Sequence, residues 1–278
     1  MVRYFKCNSL TEALGLLADN ETRFPLLAGG TDLIVQWGGR MPDGVIDIGG
    51  IEELKLIVQR ENVVEIGALV SHATIIESKI AQRYCHTLVE ACKTIGAIQI
   101  QNRGTIGGNI VNASPAGDTP PVLMAFDAKV ELTSLSGKRH IPIREFYLSY
   151  RKTALKPDEI LTKIIIPKQK PDEKAAFYKI GTRKAQAISK VVMCVRSKVH
   201  NGVVEDIAIA IGSVAPIVVC APKTEDFLKG KKLDDKIIDE AKKSLSNEIK
   251  PIDDIRSTAD YRRFVAGNLL GSCLNGLI

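Results

Sequence analysis

Residues 99–132 read QIQNRGTIGGNIVNASPAGDTPPVLMAFDAKVEL, and the rest of the chain is best understood outward from them. Their glycine-rich centre is Asn102-Arg103-Gly104-Thr105-Ile106-Gly107-Gly108-Asn109. A counterpart lies about 75 residues earlier, Leu26-Leu27-Ala28-Gly29-Gly30-Thr31-Asp32-Leu33. Each sets paired glycines beside a threonine and an amide or acid. Glycine lets backbone approach a ligand closely and takes positive φ without strain. Successive N–H groups in such a turn form a concave nest for an anion, and threonine can add a hydroxyl donor. If the fold brings the two loops together, they can grip one diphosphate from two sides. If it keeps them apart, each is an ordinary turn. Neither is G-x-G-x-x-G after a strand, nor G-x-x-x-x-G-K-[ST], so the nicotinamide Rossmann fingerprint and the P-loop are both missing.

Upstream, Ser9 and Glu12 form an S-x-x-E capping box, and Leu10, Ala13, Leu14 and Leu17 mark the inner face of a first helix. Short strands are expected at 26–28, 45–48 and 63–69. Ser71 caps a helix through about Gln82, and a second runs from about His86 to Ile95. Downstream of the glycine-rich stretch, 114–121 reads as a polar turn, 122–126 as a helix-like segment, and 129–133 as a strand with a hairpin turn at 135–138. Another strand spans 160–166. The charged stretch 168–174, which contains Pro171, is the best linker in the chain. Beyond it, strands at 190–199 and 203–211 join at Asn201-Gly202, a strong type I′ hairpin signal. In the second, Ile207, Ile209 and Ile211 alternate with Ala208 and Ala210, so both faces can be buried. Helices are expected at 224–228, 235–245 and 258–274. Hairpins and helices fall in separate blocks, which reads as α+β.

Composition narrows the function. The chain has 278 residues, 45% of them hydrophobic, which excludes bulk disorder. Aromatics are 5% with a single Trp37, which argues against a stacking platform for single-stranded nucleic acid. The net charge of +6 is mild and scattered, so it reads as solvated lysines rather than a nucleic-acid face. The six cysteines show no C-x2-C pair and no iron–sulfur ligand run. With no apolar signal region at the start and no stretch near 18 apolar residues, the expectation is a reducing cytoplasm. His72, His86, His140 and His200 read as ordinary polar residues, none beside a glycine loop and none at metal spacing. No nucleophile or acid/base pair stands out, and no metal site is expected.

Taken with LLAGGTDL at 26–33, DEILTKIIIP at 158–167 and FYKIGTRKAQAISKV at 177–191, the long middle motif resembles the FAD-binding (medium) subunits of the molybdenum hydroxylases. That family includes the flavin subunits of carbon monoxide dehydrogenase, xanthine dehydrogenase and nicotinate dehydrogenase. The resemblance covers nearly the whole chain. It implies a two-subdomain FAD-binding fold of the vanillyl-alcohol oxidase type, not Rossmann, plus a C-terminal domain of a small sheet with helices. The matching division is residues 1–170, with subdomains of about 1–55 and 56–170, then 171–278.

The resemblance also implies roles for particular residues. Ala28, Gly29, Gly30, Thr31 and Asp32, with Thr105, Ile106, Gly107, Gly108 and Asn109, would hold the pyrophosphate of non-covalent FAD through backbone N–H groups. Leu26, Leu27 and Leu33 would line the pocket. Asp118 would accept hydrogen bonds from the ribose or nearby hydroxyls. Leu161 would be an apolar contact to the flavin half, and Lys179 a cation near the flavin ring. Arg183 fits the same motif, and Ile95 falls at an apolar contact position. Gln101 stands where the family usually has arginine, and the four-cysteine insertion of some members is missing. The implied function is electron transfer: a large molybdenum-cofactor subunit oxidises substrate, a small subunit relays electrons through two [2Fe–2S] clusters, and this chain delivers them to an external acceptor. Two other readings are a stand-alone FAD-dependent oxidase or reductase and a non-catalytic FAD-binding scaffold module.

Overall fold

The computed structural model describes residues 2–277. Three larger sheets follow one another along the chain, and a two-stranded ribbon accompanies the second. The first lobe comprises β1 (Arg3–Lys6), α1 (Leu10–Ala18), β2 (Leu26–Leu27), α2 (Leu33–Trp37) and β3 (Gly44–Asp47). Its strands form a parallel sheet in the order β1-β3-β2. The capping box forms as the spacing predicts: the Ser9 side chain accepts from the Glu12 N–H, and the Glu12 carboxylate accepts from the Ser9 N–H. Ala13, Leu14 and Leu17 then bury against Ile46, Ile48, Ile51 and Leu54. Each large side chain so buried contributes about 1.5–3 kcal/mol.

The second lobe begins with a 3-10 turn at Glu52–Lys55, then β4 (Ile57–Gln59) and β5 (Val63–Gly67). A run of short helices follows: α3 (His72–Glu77), α4 (Lys79–Tyr84), α5 (His86–Lys93), α6 (Ile98–Arg103), α7 (Ile106–Val111) and α8 (Thr119–Ala125). Then come β6 (Lys129–Ser134), β7 (Gly137–Pro142), α9 (Ile143–Phe146), β8 (Tyr147–Ser149), β9 (Lys152–Thr153) and β10 (Ile160–Pro167). The main sheet here is antiparallel, in the order β4-β5-β10-β6-β7. The helix expected from Ser71 to Gln82 is broken in two, because Ser78 turns extended and its side chain caps α4 by accepting from the Ala81 N–H. Part of the expected polar turn is helix: α8 starts at Thr119, with prolines in its first turn, where a missing N–H costs nothing.

The third lobe holds β11 (Lys174–Ile180), β12 (Val191–His200), β13 (Val203–Gly212), β14 (Val219–Cys220), α10 (Pro222–Leu228), α11 (Asp235–Glu248) and α12 (Ala259–Asn275). Its strands pair antiparallel in chain order. Asn201 and Gly202 both take positive φ, 50° and 77°, as a type I′ turn requires. The alternation in β13 sorts two cores. Ile207, Ile209 and Ile211 face the cluster built with α11 and α12, while Ala208 and Ala210 join the core of the second lobe. Small alanines on that face let α8 lie close to β12 and β13, so the third lobe is packed onto the second.

Candidate functional site

The two glycine loops, distant in sequence, meet. A Cβ on Gly29 would overlap the Arg103 carbonyl oxygen, so this contact admits only glycine. One on Gly104 would lie 3.3 Å from Thr31 Oγ1 and 3.2 Å from His72 Cδ2. Gly30 turns the chain from β2 into α2 at φ +74°. Their backbone chemistry differs. In the second loop four N–H groups are already engaged: Ile106 donates to Val70 O, Gly107 to Ala68 O, Gly108 to Thr105 Oγ1 and Asn109 to Thr105 O, at 2.9–3.1 Å. In the first, the N–H groups of Gly29, Gly30, Thr31 and Asp32 find no acceptor among the described residues. The resemblance implies that both loops hold an anion through the backbone; the first has four donors to spare among the described residues, the second only the Thr105 N–H. The second is the start of α7, with Thr105 as its N-cap.

Two adjoining cavities open beside the loops. The smaller, about 360 Å³, is lined by Leu26, Ala28 to Leu33, Thr105, Gly108 and Asn109, together with His72. The larger, about 1000 Å³, holds Asp118 and Lys179 and reaches the third lobe at Arg183, Ser213 and Arg262. Thr31, Asp32, Ile95, Ile100, Asn109, Asn112 and Arg151 border both. The larger cavity alone reaches the upper end of the range for small-molecule sites, about 300–1,000 Å³, and the smaller one extends it.

Four of the proposed contacts do not reach this cleft. Leu161 is only 4% exposed on β10, inside the second-lobe core, so it is not in place to touch a flavin there. Ile106 is fully buried in the same core. Gly107 is pressed against Ala68, where a Cβ would come within 2.6 Å of the Ala68 Cβ. Leu27 packs under Gly30, with its Cδ1 at 3.2 Å from a Cβ placed there. His72 corrects the sequence reading in the other direction. It stands beside the second loop, its N–H donating to Gly104 O at 3.1 Å and its ring lining the smaller cavity. Burial holds its imidazole neutral, pulling its pKa down to about 4. A single histidine at the first position of a helix carries no pattern that would reveal this. Arg151 was missed too, although it holds the left-handed conformation at φ 52°, as Gln186 and Ser213 at the cleft do.

Asp118 and Lys179 form one buried unit. The Lys179 ammonium donates to Asp118 Oδ2 at 2.6 Å and to Thr94 O at 2.8 Å, tying β11 to the ends of α5 and α8. Burial pushes the Asp118 carboxyl up to about 6, and the Lys179 charge pulls it back. Burial likewise raises Asp32, with Arg151 opposing. Asp118 Oδ1 is buried with no hydrogen-bond partner among the described residues. An orphaned carboxylate oxygen costs about 1–3 kcal/mol or more unless a donor completes it. Free N–H donors at one end of the cleft and an unsatisfied acceptor in the same cleft fit a ligand with an anionic part and hydroxyls. FAD has both. Arg183 turns its guanidinium into its own loop, donating to the Ala185 and Gln186 carbonyls. Gln101, where the family usually has arginine, donates to Lys93 O and Ile95 O and closes the end of α5.

A two-part cleft with free backbone donors and an orphaned acid suits a dinucleotide-sized ligand, and comparison with known proteins gives the family. Residues 1–169 match the FAD binding domain in molybdopterin dehydrogenase, and residues 176–277 match the CO dehydrogenase flavoprotein C-terminal domain. The chain belongs to the FAD-binding subunits of the molybdenum hydroxylase family. It is 34% identical to the glyceraldehyde dehydrogenase medium chain of Sulfolobus acidocaldarius, over 94% of this chain and 93% of that one. It is 31% identical to the putative xanthine dehydrogenase FAD-binding subunit of Escherichia coli, over 93% and 90%. A solved structure of carbon monoxide dehydrogenase from Hydrogenophaga pseudoflava superposes with a TM-score of 0.95 at 31% identity, covering 99% of this chain and 96% of that one. No helix among the described residues is long and apolar enough to cross a membrane.

Proposed function

We propose that this chain is the electron-transfer subunit of a multi-subunit molybdenum hydroxylase. It takes electrons from [2Fe–2S] clusters on a small partner and passes them to an external acceptor. A large partner with the molybdenum cofactor oxidises the substrate. The relatives support this assembly, since several are named as medium chains or subunits of dehydrogenases. FAD in the cleft supplies the one- and two-electron chemistry; the chain's own residues bind and orient it and keep water out. The Gly29–Asp32 N–H groups hold its diphosphate, and Asp118 Oδ1 takes a hydroxyl. Thr105, Gly108 and Asn109 line the same end, and Lys179 holds Asp118 in place. Residues 1–170, in subdomains of about 1–55 and 56–170, form the cofactor domain, and 171–278 close the cleft from the other side. Six unpaired cysteines suit a cytoplasmic setting.

The observation that carries this reading is the row of unengaged N–H groups at Gly29–Asp32 in a cleft with an orphaned acid. Amide hydrogen exchange with and without FAD tests it. Exchange at Gly29–Asp32 should slow on addition of FAD, while Ile106–Asn109, already bonded internally, should change little. Protection at 106–109 with none at 29–32 would move the diphosphate to the other loop. No flavin uptake and no protection at either loop would end the cofactor reading.

A further inference from the structure

We infer that Thr119 is a positioning residue for the cofactor, acting through Asn109; the assignment rests on the FAD reading above. Thr119 opens α8 and is fully buried, and its hydroxyl donates to Asn109 Oδ1 at 2.6 Å. A buried hydroxyl must donate or forfeit its hydrogen bond, and Asn109 Oδ1 is its acceptor among the described residues. This fixes the orientation of the carboxamide. With the amide reversed, its NH2 would face the Thr119 oxygen and the Thr119 proton would have no acceptor. In the orientation shown, Oδ1 is used internally and the two Nδ2 hydrogens are left over. Asn109 borders both cavities, so that NH2 group is presented to the cleft.

The arrangement follows from the start of α8. Asp118 precedes Thr119, and the two residues serve the cleft in opposite senses. Asp118 offers a bare acceptor in Oδ1. Thr119, ten positions from its partner, secures a pair of donors. The first turn is held by Pro120 and Pro121, whose fixed φ pre-sets the helix. A donor pair locked by a buried hydroxyl meets an acceptor oxygen of the dinucleotide without first losing rotational freedom.

Two substitutions separate this role from packing. Thr119→Val keeps the shape and the methyl but replaces the hydroxyl with a second methyl; Thr119→Ser keeps the hydroxyl and loses the methyl. FAD is titrated into each apo chain by flavin fluorescence, with far-UV circular dichroism confirming folding. The dissociation constant should rise about five- to tenfold in Thr119→Val and stay within about twofold of wild type in Thr119→Ser, the scale of one hydrogen bond. In an Asn109→Ala background, Thr119→Val should cost nothing further. Thr119→Ala serves as a second hydroxyl-free variant if Thr119→Val does not fold. Weakening in Thr119→Ser with normal binding in Thr119→Val would assign the residue to packing and overturn the proposal. So would a full further loss in the Asn109→Ala background. A wild-type chain that takes up no FAD overturns the cofactor reading itself, and this assignment with it.

Discussion

The two glycine loops look alike in sequence and differ in what their backbones can offer. Gly29–Asp32 has free N–H donors and lines the cleft. Ile106–Asn109 has spent its donors on Val70, Ala68 and Thr105 and serves as the start of a helix, leaving the Thr105 N–H as the second loop's one unengaged donor among the described residues. A glycine pair therefore has at least two uses. In the first loop glycine permits a turn at positive φ and exposes the backbone. In the second, Gly107 permits helix α7 to sit directly on Ala68. The loops are interdependent, because the Gly29 backbone rests on the Arg103 carbonyl.

That contact sets the largest expected effect. Gly29→Ala puts a methyl group into the Arg103 carbonyl oxygen, a backbone atom that cannot step aside as a side chain can. The loops must separate, and we expect both a stability loss of more than about 4 kcal/mol and loss of flavin uptake. Thermal unfolding and flavin released per chain measure the two. A Gly29→Ala protein with wild-type stability and flavin content would show that the loops need not touch.

Much of this was legible beforehand. The capping box, the type I′ hairpin and the double-faced β13 were each fixed by local chemistry, and each formed. What could not be read was set by distant partners. Helix α7 hides in a run that two glycines make a poor helix former, and it holds because Ile106 and Ile110 bury completely in the core. Strand β11, whose first residue fell within the expected linker, is fixed by pairing with β12. The family motif carries Leu161 to the flavin, while a register shift between Leu161 and Lys163 breaks the alternation of β10 and turns Leu161 into the core with Ile164 and Ile166. Asp118 and Lys179 were each expected to face FAD separately, and nothing across a separation of 61 positions announces that they bind each other.

His72 sharpens the comparison, because it supports the second loop and not the first. Its pKa falls from 6.5 to about 4 on burial, so the unfolded chain takes up a proton over that window and the folded chain does not. The sign follows: stability is fully present above about pH 6.5 and is lost as pH falls toward 4, by about 3 kcal/mol in all. Asp118 works oppositely, since a carboxyl raised from 3.8 to about 6 loses its contribution as pH rises through that range. Comparing wild type with His72→Gln cancels the Asp118 share. Urea unfolding at pH 7 and pH 5 should show the wild type losing about 2 kcal/mol more than the variant over that interval. Parallel losses would mean His72 titrates freely and the second loop is looser than its hydrogen bonds indicate.

The smallest effect separates the loops most sharply. Thr105 caps α7 by accepting the Gly108 N–H at 3.1 Å. Thr105→Ala removes the cap and should cost about 1 kcal/mol of stability. It also releases the Gly108 N–H at a residue that lines the smaller cavity. If the second loop is scaffold, the dissociation constant for FAD should stay within about twofold while the unfolding midpoint drops. If instead the second loop grips the diphosphate through its own backbone, affinity should move while stability holds. Affinity and stability thus report on different loops, and one threonine is enough to pull them apart.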